Sequence, residues 1–178
     1  MRGGRDSLPG MDHSPHTHEP AEPRAYAWLL PGRLAVSERP GRGGRSHRRQ
    51  LRVAETEWWC AHGVTAIVSG MRTRHGLLDY ALADITVRWH PLTDAGAPEQ
   101  LDSLVAACVG LLEHGDGGVL AHCDRANEWL TGVDAALRLA LGLSTTPHEA
   151  LAAAAADGLP VGSLAASLVG AAPVGAPP

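Results

Sequence analysis

The sequence predicts an α/β domain with a central, mostly parallel sheet flanked by helices, on three observations. Short apolar runs of strand length alternate with longer segments of helical periodicity. The runs are bounded by Gly and Pro turns rather than by long polar linkers. The chain has 178 residues, 44% apolar and 19% charged, enough for one domain with a proper core.

Each element has its own warrant. After the turn Pro31-Gly32, Leu34 to Ser37 reads as a short strand. Arg52 to His62 reads as a helix, with Val53, Thr56/Glu57 and Trp59/Cys60 at helical spacing and Gly63 as its stop. Val64 to Ser69 is a buried strand, and Arg74 to Ala83 a short helix. Ile85 to Leu92 is a strand closed by Pro91. Pro98 to His114 is a helix: Pro suits its first turn, and Leu101, Leu104, Val105, Cys108, Leu111 and Leu112 make one apolar face. Val119 to His122 is the next strand, and Thr131 to Leu143 the next helix, with Val133, Ala136/Leu137 and Ala140/Leu141 inward. Thr146-Pro147-His148-Glu149 is a capping box for a helix that ends at Gly158. A last short helix covers Ser163 to Val169.

The ends read differently. Residues 1–24 carry Pro9, Pro15, Pro20 and Pro23 and no aromatic side chain, so a disordered tail is expected there, a domain over 25–170, and a second loose tail over 171–178. Met11 offers a second start. His13, His16 and His18 lie on the first tail without a fourth ligand, so no metal or other cofactor is expected. There is no apolar leader and no span of membrane length, and an odd count of three cysteines (Cys60, Cys108, Cys123) forms no disulfide framework. A cytoplasmic, reducing setting without a membrane partner follows as the expectation. Cys60 and Cys108 sit in apolar helical patterns and read as inert core thiols.

All fifteen basic residues are Arg, and the net charge of −4 argues against general nucleic-acid binding. The charge is uneven. Arg33 to Arg52 holds seven Arg against one acid, Glu38, a local +6 that leaves −10 for the rest of the chain. Such a stripe suits an anionic or phosphorylated partner, or else a solvated loop containing Gly41, Gly43 and Gly44.

In open α/β sheets the site lies beyond the carboxyl ends of the strands. Two polar turns fall there, after Leu92 and after Ala121. The second reads "HCDRANEWLTG", a strand end delivering His122 and Cys123 into a turn before a helix. A loop of that kind points backbone N–H groups and a helix dipole at one place, which favours an oxyanion and a thiolate. A thiolate there can attack phosphorus, a carboxylic acid can protonate the leaving oxygen, and a guanidinium can clamp the phosphoryl oxygens.

The order strand, His-Cys, turn, Thr-Gly, helix resembles the cysteine-dependent protein tyrosine phosphatase superfamily, closest to the small dual-specificity phosphatases. "WLLPGRLAVSE", "HGVTAIVS" and "WHPLTDAGAP" extend the likeness over roughly Tyr26 to Leu143. The resemblance implies Cys123 as nucleophile, preceded by His122, with Asp94 as general acid and Thr131 as the hydroxyl supporting the leaving thiolate. It implies Asp124, Arg125, Ala126, Asn127, Glu128, Trp129 and Leu130 as the phosphate-binding turn.

The departures are specific. The family has glycine where this chain has Ala126, and arginine six residues after the cysteine, where this chain has Trp129. Counting back from Thr131-Gly132 puts Leu130 there instead, with one residue inserted. Arg125 stands too early for that position, and Glu128 adds a negative charge to the turn. Three functions stay open: a weak or inactive phosphatase-like protein (a pseudophosphatase) that binds a phosphorylated or anionic partner; an active atypical phosphomonoesterase using Cys123 and Asp94, with Arg125 or an arginine of the 33–52 stripe replacing the missing one; or a thiol, redox or sulfur-transfer protein.

Overall fold

The structure is a computed structural model that describes residues 21–41, 49–81, 83–94 and 97–170. Residues 1–20 of the tail expected over 1–24, the tail over 171–178, His13, His16 and His18, and Arg42, Arg45 and Arg48 of the basic stripe lie outside the described residues.

Five strands form one sheet: β1 (Ala27–Leu30), β2 (Leu34–Glu38), β3 (Val64–Ser69), β4 (Thr86–Trp89) and β5 (Gly118–Cys123), in the order β1-β2-β5-β3-β4. Only β1 and β2 are antiparallel; β2, β5, β3 and β4 run parallel. Six helices cover it: α1 (Arg49–Ala61), α2 (Leu77–Ala81), α3 (Ala97–His114), α4 (Glu128–Ala140), α5 (Pro147–Ala156) and α6 (Ser163–Leu168). The mostly parallel, helix-flanked sheet expected from the alternating pattern is the one found.

Side chains alternate across the sheet with a period of two. On one face Ala35, Ile67 and Leu120 pack with Trp59 of α1 and with Leu77 and Tyr80 of α2. On the other, Val36, Val68, Ala121 and Cys123 pack with Leu101, Leu104 and Cys108 of α3 and with Leu130, Val133 and Leu137 of α4. His122 and Cys123, adjacent in sequence, therefore enter opposite layers: the imidazole lies beside Trp59 and Tyr80, and the thiol lies in the α3–α4 layer. A further apolar seam, Ala135 with Ala150, Leu151, Ala165 and Ala166, fastens α5 and α6 onto α4.

Several details differ from the sequence expectation. Strand β1 lies within the segment "WLLPGRLAVSE" but outside the run Leu34 to Ser37 read as a strand; it is the first arm of a hairpin turned by Pro31-Gly32, where Gly32 takes φ 69°. Helix α1 buries Ala54, Glu55, Thr56 and Trp59 while Val53 is exposed, so its inward face is rotated from the expected one. Cys60, expected in the core, is exposed as a result; Cys108 is buried. The run Trp58-Trp59-Cys60 is apolar at consecutive positions and cannot by itself phase a helix. Part of the basic stripe does structural work. Arg33 donates to the Leu112 carbonyl at 2.6 Å near the end of α3, and Arg52 pairs with Asp79 of α2 at 2.8 Å.

Candidate active site

The carboxyl ends of the parallel strands are laced together by backbone bonds. The Gly70 N–H donates to the His122 carbonyl at 2.8 Å, His90 N–H to Ser69 at 2.9 Å and Leu92 N–H to Gly70 at 3.1 Å. Above this floor opens a cleft of about 480 Å³, lined by Met71, Arg72, Thr73, Asp124, Arg125, Asn127 and Trp129 with Cys123 at its base. The floor is closely packed at Gly70: a Cβ there would lie 3.0 Å from Leu92 Cδ1, 3.1 Å from Leu104 Cδ1 and 3.3 Å from Cys123 Sγ.

The thiol at the base is buried, with 3% of the residue exposed. Burial pushes Cys123 up to about 12, and the neighbouring Asp124 carboxylate adds to the rise. Cys108, also buried, is likewise pushed up to about 12. The environment thus holds Cys123 as a neutral thiol, the reverse of what an oxyanion-binding turn does to a cysteine.

The turn beside the thiol has the following local order. Helix α4 starts at Glu128, one turn earlier than the Thr131 start expected from sequence, with Asn127 as N-cap in extended backbone (φ −136°, ψ −175°). Asn127 Oδ1 accepts from Trp129 N–H at 3.2 Å, a side-chain cap. The Ala126 N–H is directed to a carboxylate of the chain itself, Glu38 Oε2 at 3.3 Å, and the Asn127 N–H to the Arg125 carbonyl at 3.0 Å. Three amides of the segment thus have acceptors within the protein.

The other turn residues disperse. Trp129 is half-buried and walls the cleft, whereas Leu130 is wholly buried in the α3–α4 layer. Glu128 faces away from the cleft; its Oε2 accepts from the Leu164 N–H at 2.8 Å and the Ala165 N–H at 3.2 Å, capping α6. The Thr131 hydroxyl donates to the Pro160 carbonyl at 2.7 Å, which commits its proton away from the sulfur. Arg125 is exposed at the cleft and has no ion pair among the described residues. Asp94 does not line the cleft: its Oδ1 takes Arg72 Nη2 at 2.8 Å at the rim, with 77% of its side chain exposed.

His122 is wholly buried, and burial pulls it down to about 4, with the Arg39 guanidinium lowering it further. Among the described residues neither ring nitrogen has a hydrogen-bond partner of good geometry. The ring sits edge-on to Tyr80 with centroids 5.6 Å apart and tilted against Trp59 at 6.2 Å. Arg39 approaches the loop from the His122 side, its backbone N–H on the Cys123 carbonyl at 2.8 Å and its Nε 3.0 Å from Asp124.

Arg72 and Glu38 carry no site signal in the sequence, and Arg39 is marked there only as one arginine of the basic stripe. Position at the carboxyl end of a parallel strand is the one signal that marks all three. Among the described residues no group of His, Cys, Asp and Glu is arranged to hold a metal, and no helix is long and apolar enough to cross a membrane.

No protein-family model matches the chain, and no curated protein matches it by sequence. Solved structures do. Tk-PTP in its active form superposes with a TM-score of 0.58 at 22% identity, over 75% of this chain and 84% of that one. The fold is that of the dual-specificity and tyrosine phosphatases. PTPMT1 in complex with PI(5)P gives 0.57 at 13% identity, over 77% and 87% of the two chains. Human DUSP28 gives 0.52 at 17% identity, over 88% and 89%. At these identities the likeness carries the fold, and the chemistry has to be argued from this chain's own residues.

Proposed function

We propose that this chain uses the phosphatase fold to hold a phosphorylated or otherwise anionic ligand in the cleft over Cys123, without turning it over. The observation that carries the reading is Trp129, which stands six residues after the cysteine and walls the cleft where the resemblance calls for a phosphate-clamping arginine. Losing one preorganised donor to a transition state costs on the order of 10²–10³ in rate, and a bidentate guanidinium is worth at least that.

Three further features support silence. The thiol is held neutral by burial. The Thr131 hydroxyl is bonded to Pro160, not to the sulfur. Asp94, the carboxylate resembling the general acid, does not line the cleft over the sulfur. Retained binding is supported by Arg72 and Arg125 on the cleft wall, with the Trp129 indole beside them.

The same two guanidiniums favour one second reading, an active atypical phosphomonoesterase in which one of them replaces the missing arginine. Hydrolysis of p-nitrophenyl phosphate by wild type and by Cys123→Ser separates the two. Equal, background-level rates support the silent reading, and a rate lost on substitution supports the active one.

A further inference from the structure

Arg72 and Arg125 reach the cleft from different loops, one after β3 and one after β5. Arg125 has no ion-pair partner among the described residues, whereas Arg72 is held by Asp94 through a single contact, Nη2 to Oδ1 at 2.8 Å. Asp94 lies outside the cleft and reaches it only through that contact. Its backbone is presented from an anchored position: the preceding Thr93 N–H donates to Gln100 Oε1 of α3 at 2.6 Å. The other acid of the cleft, Asp124, lies against Arg39.

We propose that Asp94 is an internal stand-in for the ligand: its carboxylate occupies Arg72 until an oxyanion seated between Arg72 and Arg125 displaces it. The inference rests on reading the cleft as an anion-binding, turnover-silent site. A carboxylate and a phosphoryl group present the same pair of oxygens to a guanidinium, so one exchanges for the other without rebuilding the loop. Both partners of the pair are more than half exposed, at 58% and 77% of their side chains, so the contact is weak and the exchange costs little. The ligand class is a tetrahedral oxyanion, since two guanidiniums from separate loops match oxygens spread around one centre. The role differs from that of a general acid: removing the Asp94 charge strengthens binding instead of abolishing a reaction.

The test titrates inorganic phosphate into the full chain at low salt, followed by heteronuclear NMR, for wild type, Asp94→Asn, Arg72→Gln, Arg125→Gln and the double variant Asp94→Asn/Arg72→Gln. Asp94→Asn is expected to tighten phosphate by about two- to five-fold, the scale of an exposed ion pair. Both single arginine variants are expected to weaken it, and the gain from Asp94→Asn is expected to vanish when Arg72 is absent. The proposal is overturned by any one of three results: no gain in Asp94→Asn, an equal gain with and without Arg72 (a general charge effect), or no phosphate binding by wild type and Asp94→Asn. Hydrolysis of p-nitrophenyl phosphate is read on the same samples. Turnover that Asp94→Asn abolishes would defeat the silent reading itself, whatever the binding cycle gives.

Discussion

The neutral thiol leads to the sharpest chemical expectation. An ordinary cysteine, with a pKa near 8.5, is about 3% thiolate at pH 7. Held up to about 12 by burial, Cys123 has a thiolate fraction on the order of 10⁻⁵ at that pH, about 10³-fold less. Steric burial at 3% exposure slows attack further. Cys60 is also raised, by burial first, yet it is exposed, while Cys108 is both buried and raised to about 12. Iodoacetamide added to the native chain between pH 6 and 9, with peptide mass spectrometry, should therefore label Cys60 first and leave Cys123 and Cys108 together far behind. In urea all three should label at similar rates. A Cys123 that is alkylated ahead of Cys60 at pH 6–7, with an inflection below pH 7, would refute the argument. It would mean that the turn amides and α4 act on the sulfur after all.

Two predictions concern the frame around the site. His122 is pulled down from its ordinary value to about 4, so it contributes stability that is present above pH 6.5 and lost as pH falls through 4. The loss is on the order of 3 kcal/mol, and urea unfolding at pH 7 and pH 4 should show wild type losing that much more than His122→Leu; equal losses would contradict it. On the opposite side, wholly buried Asp134 is bonded by Arg138 Nε at 2.6 Å, and Arg138 also reaches Asp157 beyond α5. Arg138→Ala leaves that buried charge unpaired and should cost about 3 kcal/mol by urea unfolding at pH 7. Burial raises Asp134, so its charge is unfavourable above the unfolded carboxylate range, and acidification should recover part of the loss. A loss below about 1 kcal/mol, the scale of an exposed pair, would contradict it.

The sheet was legible because each parallel strand is a short apolar run closed by a turn, and Thr146 with Glu149 marked the start of α5 at the residue where it occurs. The capping box is local chemistry, so sequence alone reads it well. The start of α4 was missed for a related reason. Asn127 is a good N-cap, but attention to Thr131-Gly132 placed the helix a turn late and left Trp129 and Leu130 in the loop. That error matters, since a helical start at Glu128 explains why the two apolar side chains are tolerated there: Leu130 faces the core and Trp129 the cleft. The roles of Glu38, Arg39 and Arg72 depend on which strand ends meet in space. Strand order 2-5-3-4 brings them together, and no local pattern encodes that order.

Binding without turnover on the phosphatase fold, as proposed, rests on the sulfur being silent. Its most direct measurement is the hydrolysis of p-nitrophenyl phosphate by wild type beside Cys123→Ser, from pH 5 to 8. The account predicts two indistinguishable traces at the uncatalysed background across the range. A wild-type rate above background that disappears with the sulfur would contradict it.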